Sequence, residues 1–211
     1  MRRLSFRTTL VTTTAALVLC GVAGSAADAQ TDLRSTFPGR RVGGGTRGEC
    51  SARTLVHLVP ESSVYAPGTA GTLGVVQGPT ANPVSLKVSF KPEDGGAEST
   101  RTLAAAPASL TLISSADSTG PTVWESSFNC ETGGAGDSLD PLAFVQSSSP
   151  PALSLLVADA EASDQPVQAA LKSLRAKCGS SVSAKDTLAQ FGLADLVTDE
   201  WPEQLPVRCP A

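Results

Sequence analysis

The chain has 211 residues, of which 41% are hydrophobic, only 4% are aromatic and 17% are charged, with a formal net charge of −4. An acidic balance of this kind argues against nucleic acid or an anionic lipid surface as the main partner. The length suits one good core, or a core with an appendage.

In chain order, the first element is a leader. Arg2, Arg3 and Arg7 form a basic start, Ala15 to Ala23 is apolar, and small residues end in Ala27-Asp28-Ala29. This pattern predicts a signal peptide over residues 1–29, cleaved before Gln30. The apolar stretch is preceded by Thr12, Thr13 and Thr14 and is too short to span a bilayer comfortably. Leu19 stands before Cys20 where a lipoprotein signal needs a small residue. No later segment approaches the ~18 apolar residues of a membrane helix. A periplasmic or extracellular protein, with no membrane association after cleavage, is therefore expected. Cleavage would also remove three arginines and one aspartate, leaving a more acidic chain.

Residues 30–49 are rich in glycine and arginine and predict an extended or flexible lead-in. Residues 50–160 then carry strand-like runs between turn residues. These are Arg53 to Val59, Thr72 to Val76, Val84 to Phe90, Ser109 to Ile113, Thr122 to Cys130 and Ala152 to Ala158. The clearest has Val84, Leu86, Val88 and Phe90 alternating with Ser85, Lys87 and Ser89, the period of a half-buried strand. The fold class expected is mainly β: an antiparallel immunoglobulin-like sandwich followed by a short helical C-terminal segment.

Residues 161–211 form that helical tail. Val167, Leu171, Leu174 and Cys178 define one helix face, with Asp164 as a cap at its start and Gly179 as its stop. A second helix is expected after Ser183, carrying Leu188 and Phe191 and ending near Gly192, and Leu193 to Val197 suggests a further short turn. The end, from Trp201 to Cys209, reads as irregular and pinned by a disulfide.

Loss of Cys20 with the leader leaves Cys50, Cys130, Cys178 and Cys209. An even count in an exported chain reads as disulfides. Three pairings are possible, and the organisation of the chain favours Cys50–Cys130 in the β domain with Cys178–Cys209 in the tail. Loops of that size would each stabilise by about 3.5–4.5 kcal/mol. With no C-x-x-C pair and one histidine, a metal site is not expected.

Several segments together resemble a cyanobacterial secreted family described as domain of unknown function 928. They are Pro38-Gly39-Arg40-Arg41-Val42-Gly43-Gly44-Gly45-Thr46-Arg47-Gly48 before Cys50, then Leu58-Val59-Pro60, Trp124 to Cys130, and Gln190 to Asp195. The arginine–glycine stretch is the specific one. The chain departs from the family in its weakly aromatic second strand and short helical region. The resemblance implies secretion and a β domain with helices. It implies no catalytic residue, because the family has no established activity.

Among candidate sites, Gly43-x-Gly45-x-x-Gly48 has the spacing of a dinucleotide fingerprint but not its strand-before, helix-after context. No cofactor is expected. Arg40, Arg41 and Arg47 lie within eight residues of an otherwise acidic chain and are candidate ligands for sulfate, phosphate or uronate carboxylates. The alternative is that the arginines pair with acidic residues of the sandwich while the glycines shape the backbone. His57 reads as a hydrogen-bonded strand residue, not a base. Glu93/Asp94 and Asp159/Glu161 read as solvated charge, not glycosidase pairs. Trp124 reads as core, and Trp201 as packing for the tail. No catalytic residue is expected. The function expected is that of a secreted structural or interaction protein of the cell envelope, partnering an envelope protein or polysaccharide. The alternative is a binding module for acidic glycan or another anion.

Overall fold

A computed structural model describes residues 33–45, 53–115, 120–129 and 150–210. The leader, Arg47, Cys50 and Cys130 lie outside them. The described residues are mainly β, with eleven strands in two sheets. The strands are β1 Val42–Gly45, β2 Arg53–His57, β3 Val64–Tyr65, β4 Thr72–Gln77, β5 Leu86–Pro92, β6 Ser99–Leu103, β7 Ser109–Ser114, β8 Thr122–Phe128, β9 Ala152–Leu156, β10 Ser181–Ser183 and β11 Gln204–Arg208. The first sheet runs β1-β2-β4-β7-β11-β10 and the second β3-β9-β8-β5-β6. Two helices of the tail are α1 Asp164–Arg175 and α2 Ala184–Ala189.

All six residues of β4 are buried. A strand covered on both faces loses the alternation that marks a half-exposed one, and β4 is covered twice. On one side the second sheet packs against its neighbours. On the other, α1 sits so close at Gly74 that a Cβ there would stand 2.8 Å from Leu171 Cδ2 and 2.9 Å from Leu58 Cδ1. Val167, Ala170, Leu171 and Leu174 give α1 the apolar stripe that makes this contact. Strand β5 keeps the expected alternation in part: Leu86, Val88 and Phe90 are buried and Lys87 is exposed, but Ser89 is buried as well, and Val84 and Ser85 lie before the strand.

The sheets are mixed, not purely antiparallel as expected. β11 pairs with β7 in parallel, through Val207↔Leu110 and Arg208↔Thr111. β3 pairs with β9 in parallel, through Val64↔Leu155 and Tyr65↔Leu156. Parallel partners need long crossovers, and both pairs are far apart in sequence. The tail is correspondingly more than helical. The segment expected to be irregular contains β11, with Leu205 and Val207 buried and Gln204 and Pro206 exposed. Helix α1 ends at Arg175, short of Cys178, whereas α2 starts after Ser183 as expected, and Ser183 Oγ caps it by accepting the Asp186 N–H at 3.2 Å.

Part of the arginine–glycine stretch is itself structural. Arg40 and Leu153 exchange two backbone hydrogen bonds, 2.8 and 2.7 Å, which ties this segment to the second sheet. Two residues later the chain joins the first sheet as β1, with Val42 opposite Val56. Gly43 lies at this crossing. A side chain there would run into the backbone of Pro151 and Ala152, so only glycine lets the two strands approach. A helical turn over residues 33–36 precedes the crossing. Leu33 and Phe37 pack on Val64, Ala66, Leu155 and Val157 on the outer side of the second sheet.

Candidate functional site

Three groups of polar side chains stand out. The first lies between the sheets. His57 is fully buried at the end of β2. Its Nδ1 is 2.8 Å from Ser154 Oγ on β9, and its Nε2 is 2.8 Å from Ser126 Oγ on β8. One ring nitrogen donates its proton and the other accepts a serine hydroxyl, so both are satisfied by neutral groups. The imidazole also stacks on Trp124, with centroids 3.5 Å apart and planes 7° from parallel. Burial pushes the histidine pKa well below its ordinary 6.5, which keeps the ring neutral. Period-two alternation places Trp124 and Ser126 on the same face of β8, and register places Trp124 opposite Ser154.

The second group joins three remote segments at Asp164. Its carboxylate is buried and accepts the N–H of Ala66 at 3.2 Å, the N–H of Glu161 at 2.8 Å and the guanidinium of Arg34 at 2.8 Å. Arg34 also pairs with Glu161 at 3.1 Å and donates to the Asp159 carbonyl at 2.7 Å. The expected helix cap is therefore redirected. Ser163 holds the N-cap position without a side-chain bond, and Asp164 turns inward to anchor residues 33–36, the end of β3 and the start of α1. Burial and the nearby Asp164 charge push the Tyr65 phenol pKa upward.

The third group contains the predicted arginines. Arg40 is exposed. Arg41 is half-buried and donates to the carbonyls of Val59 at 3.2 Å and Phe191 at 2.9 Å, while its own N–H bonds Ser63 Oγ. Burial lowers its pKa, opposed by the charges of Glu61 and Asp195. Arg41 thus clasps the end of the α2 segment to the chain leaving β2.

The remaining candidates take separate places. Glu93 and Asp94 are exposed in the turn between β5 and β6. Asp159 and Glu161 are exposed beside Arg34. Trp124 is core and Trp201 is buried against the same core. Cys178 and Cys209 form a disulfide-compatible pair, Cα atoms 5.7 Å apart, across 31 residues. Among the described residues no group of three or more His, Cys, Asp and Glu could hold a metal ion, and no helix is long and apolar enough to cross a membrane.

Sequence reasoning missed Ser126, Ser154 and the hub role of Asp164. The serines carried one signal, namely that Ser126 shares strand parity with Trp124. Nothing in the sequence pairs Asp164 with Arg34, 130 positions away. Compared with family models, curated proteins and solved structures, the chain matches none.

Proposed function

We propose that this chain is an exported structural or interaction protein of the cell envelope, periplasmic or extracellular, and that it works by contact with another envelope component, not by catalysis. The observation that carries the proposal is the state of His57. The single histidine has no exposed surface, and both ring nitrogens are occupied by serines from the facing sheet. The residue type most often used as a general base near neutral pH is here a joint between sheets. The leader pattern and the Cys178/Cys209 pair support export, because disulfides persist in oxidising compartments. The resemblance to the secreted family carried by residues 38–48 points the same way. Two facing sheets around Trp124 support an immunoglobulin-like sandwich, with β11 and β3 as parallel additions.

The test is capture from an envelope fraction with the mature, oxidised protein as bait, together with determination of its N-terminus. A start at Gln30 and recovery of a defined envelope protein or polysaccharide are expected. A start at Met1 with cytoplasmic residence would overturn the export reading. Failure to retain any envelope component would overturn the interaction reading.

A second reading, binding of acidic glycan, is favoured by one observation: the Arg40 side chain is exposed on a backbone held by a two-hydrogen-bond bridge to Leu153. Replacing Arg40 and Arg47 with glutamine, with Arg41 left in its clasp, should reduce retention on an anionic glycan column. Unchanged retention removes this reading.

A further inference from the structure

The tail strand β11 lies in the interior of the first sheet, yet its hold on β7 is short. Only Val207↔Leu110 and Arg208↔Thr111 are in register. Cys209 follows Arg208 directly, so the cysteine pair sits at the end of that pairing. Its other half, Cys178, precedes the two residues that clasp β11 from the opposite side. The Gly179 N–H donates to the Val207 carbonyl at 2.9 Å, and the Val207 N–H donates to the Ser180 carbonyl at 2.8 Å. Both cysteines are exposed, so a thiolate in solution can reach either sulfur. The segment between them contains β10, α2 and β11 and closes back on itself through the β10–β11 pairing.

We infer that the Cys178–Cys209 bond is a redox latch on β11, whose opening loosens the β7 edge of the first sheet while the rest of both sheets stays folded. The step is thiol–disulfide exchange. A dithiol reductant attacks one sulfur, forms a mixed disulfide, then closes its own disulfide and leaves Cys178 and Cys209 as two thiols. Two electrons and two protons pass from the reductant to the protein. Opening then costs less, because the chain from Cys178 to Cys209 regains the freedom that the cross-link removed. The β7 groups that β11 covered are then available to another strand, as at any sheet edge.

Native-state hydrogen exchange tests this on the full chain. A Cys178→Ser/Cys209→Ser variant is compared with the oxidised protein, without reductant, so that any other cysteine pair stays as it is. The amides of Leu205, Val207 and β7 are expected to exchange roughly a hundredfold to five-hundredfold faster in the variant, from the entropy of a loop of this length. The amides of β5 and β8 are expected to remain the slowest set, with the strong urea dependence of global unfolding, whereas Val207 and β7 exchange through a smaller opening with a weaker urea dependence. Treating the unmodified protein with dithiothreitol should reproduce the β11 change. Unchanged exchange at Val207, or one shared opening free energy and urea dependence for β11, β7, β5 and β8, would overturn the latch. A variant that cannot fold would show equal, full exchange everywhere and count against it in the same way.

Discussion

His57 and Trp124 lie face to face from opposite sheets, rings 3.5 Å apart and nearly parallel, and no water reaches the imidazole. The indole covers one ring face, and Ser126 and Ser154 fix the ring edge in both directions. The contact fastens the two sheets and also fixes the protonation state of the histidine.

Stability should therefore depend on His57 between pH 5 and 7. In the folded chain the histidine pKa is well below 6.5, whereas in the unfolded chain it is ordinary. As pH falls below about 6.5, the unfolded chain takes up a proton that the folded chain refuses, so unfolding is favoured. The contribution is complete above that pH and declines below it, by up to about 1.4 kcal/mol per pH unit. Urea titrations at several pH values should show this slope, and His57→Gln should flatten it. An equal slope in both proteins would place the dependence elsewhere.

Truncation of the stacked pair should be among the costliest changes in the chain. Trp124→Ala removes a fully buried indole and uncovers the imidazole, and about 3–5 kcal/mol is the usual loss for such a cavity. Trp124→Phe keeps the stack and should lose less than half of that. Chemical denaturation of the two variants measures the difference.

Asp164→Ala should cost about 3–5 kcal/mol, because it leaves two backbone N–H groups and part of a guanidinium buried without their acceptor. Its effect should be non-additive with Arg34→Met, since both act on one network. A double-mutant cycle by urea unfolding gives the coupling, and strict additivity would contradict the shared anchor.

Gly74→Val should push α1 away from the first sheet, because the new side chain meets Leu171 and Leu58. Overpacking of this kind costs about 1–3 kcal/mol. Leu171→Ala in the same chain should recover part of it. Proteolysis within residues 161–180 should rise in the single variant and fall again in the double one.

The sequence by itself determined the mainly β character, the strand parity of Leu86, Val88 and Phe90, the apolar stripe of α1 and the start of α2 after Ser183. Each of these is set by neighbours within a few residues, where periodicity and local hydrogen bonding act. Trp124 was legible as core because a large aromatic in an alternating strand has one stable side to face. The parallel insertion of β11, the crossing of the chain at Gly43, the inward turn of Asp164 and the serine partners of His57 were decided only by the tertiary structure. All four depend on partners separated by about a hundred residues, 69 and 97 for the two serines and 130 for Arg34. Spacing rules do not reach that far. For the polar groups, what selects such partners is the requirement that a group taken out of water must find another, and only the assembled sheets and helices bring that partner within reach.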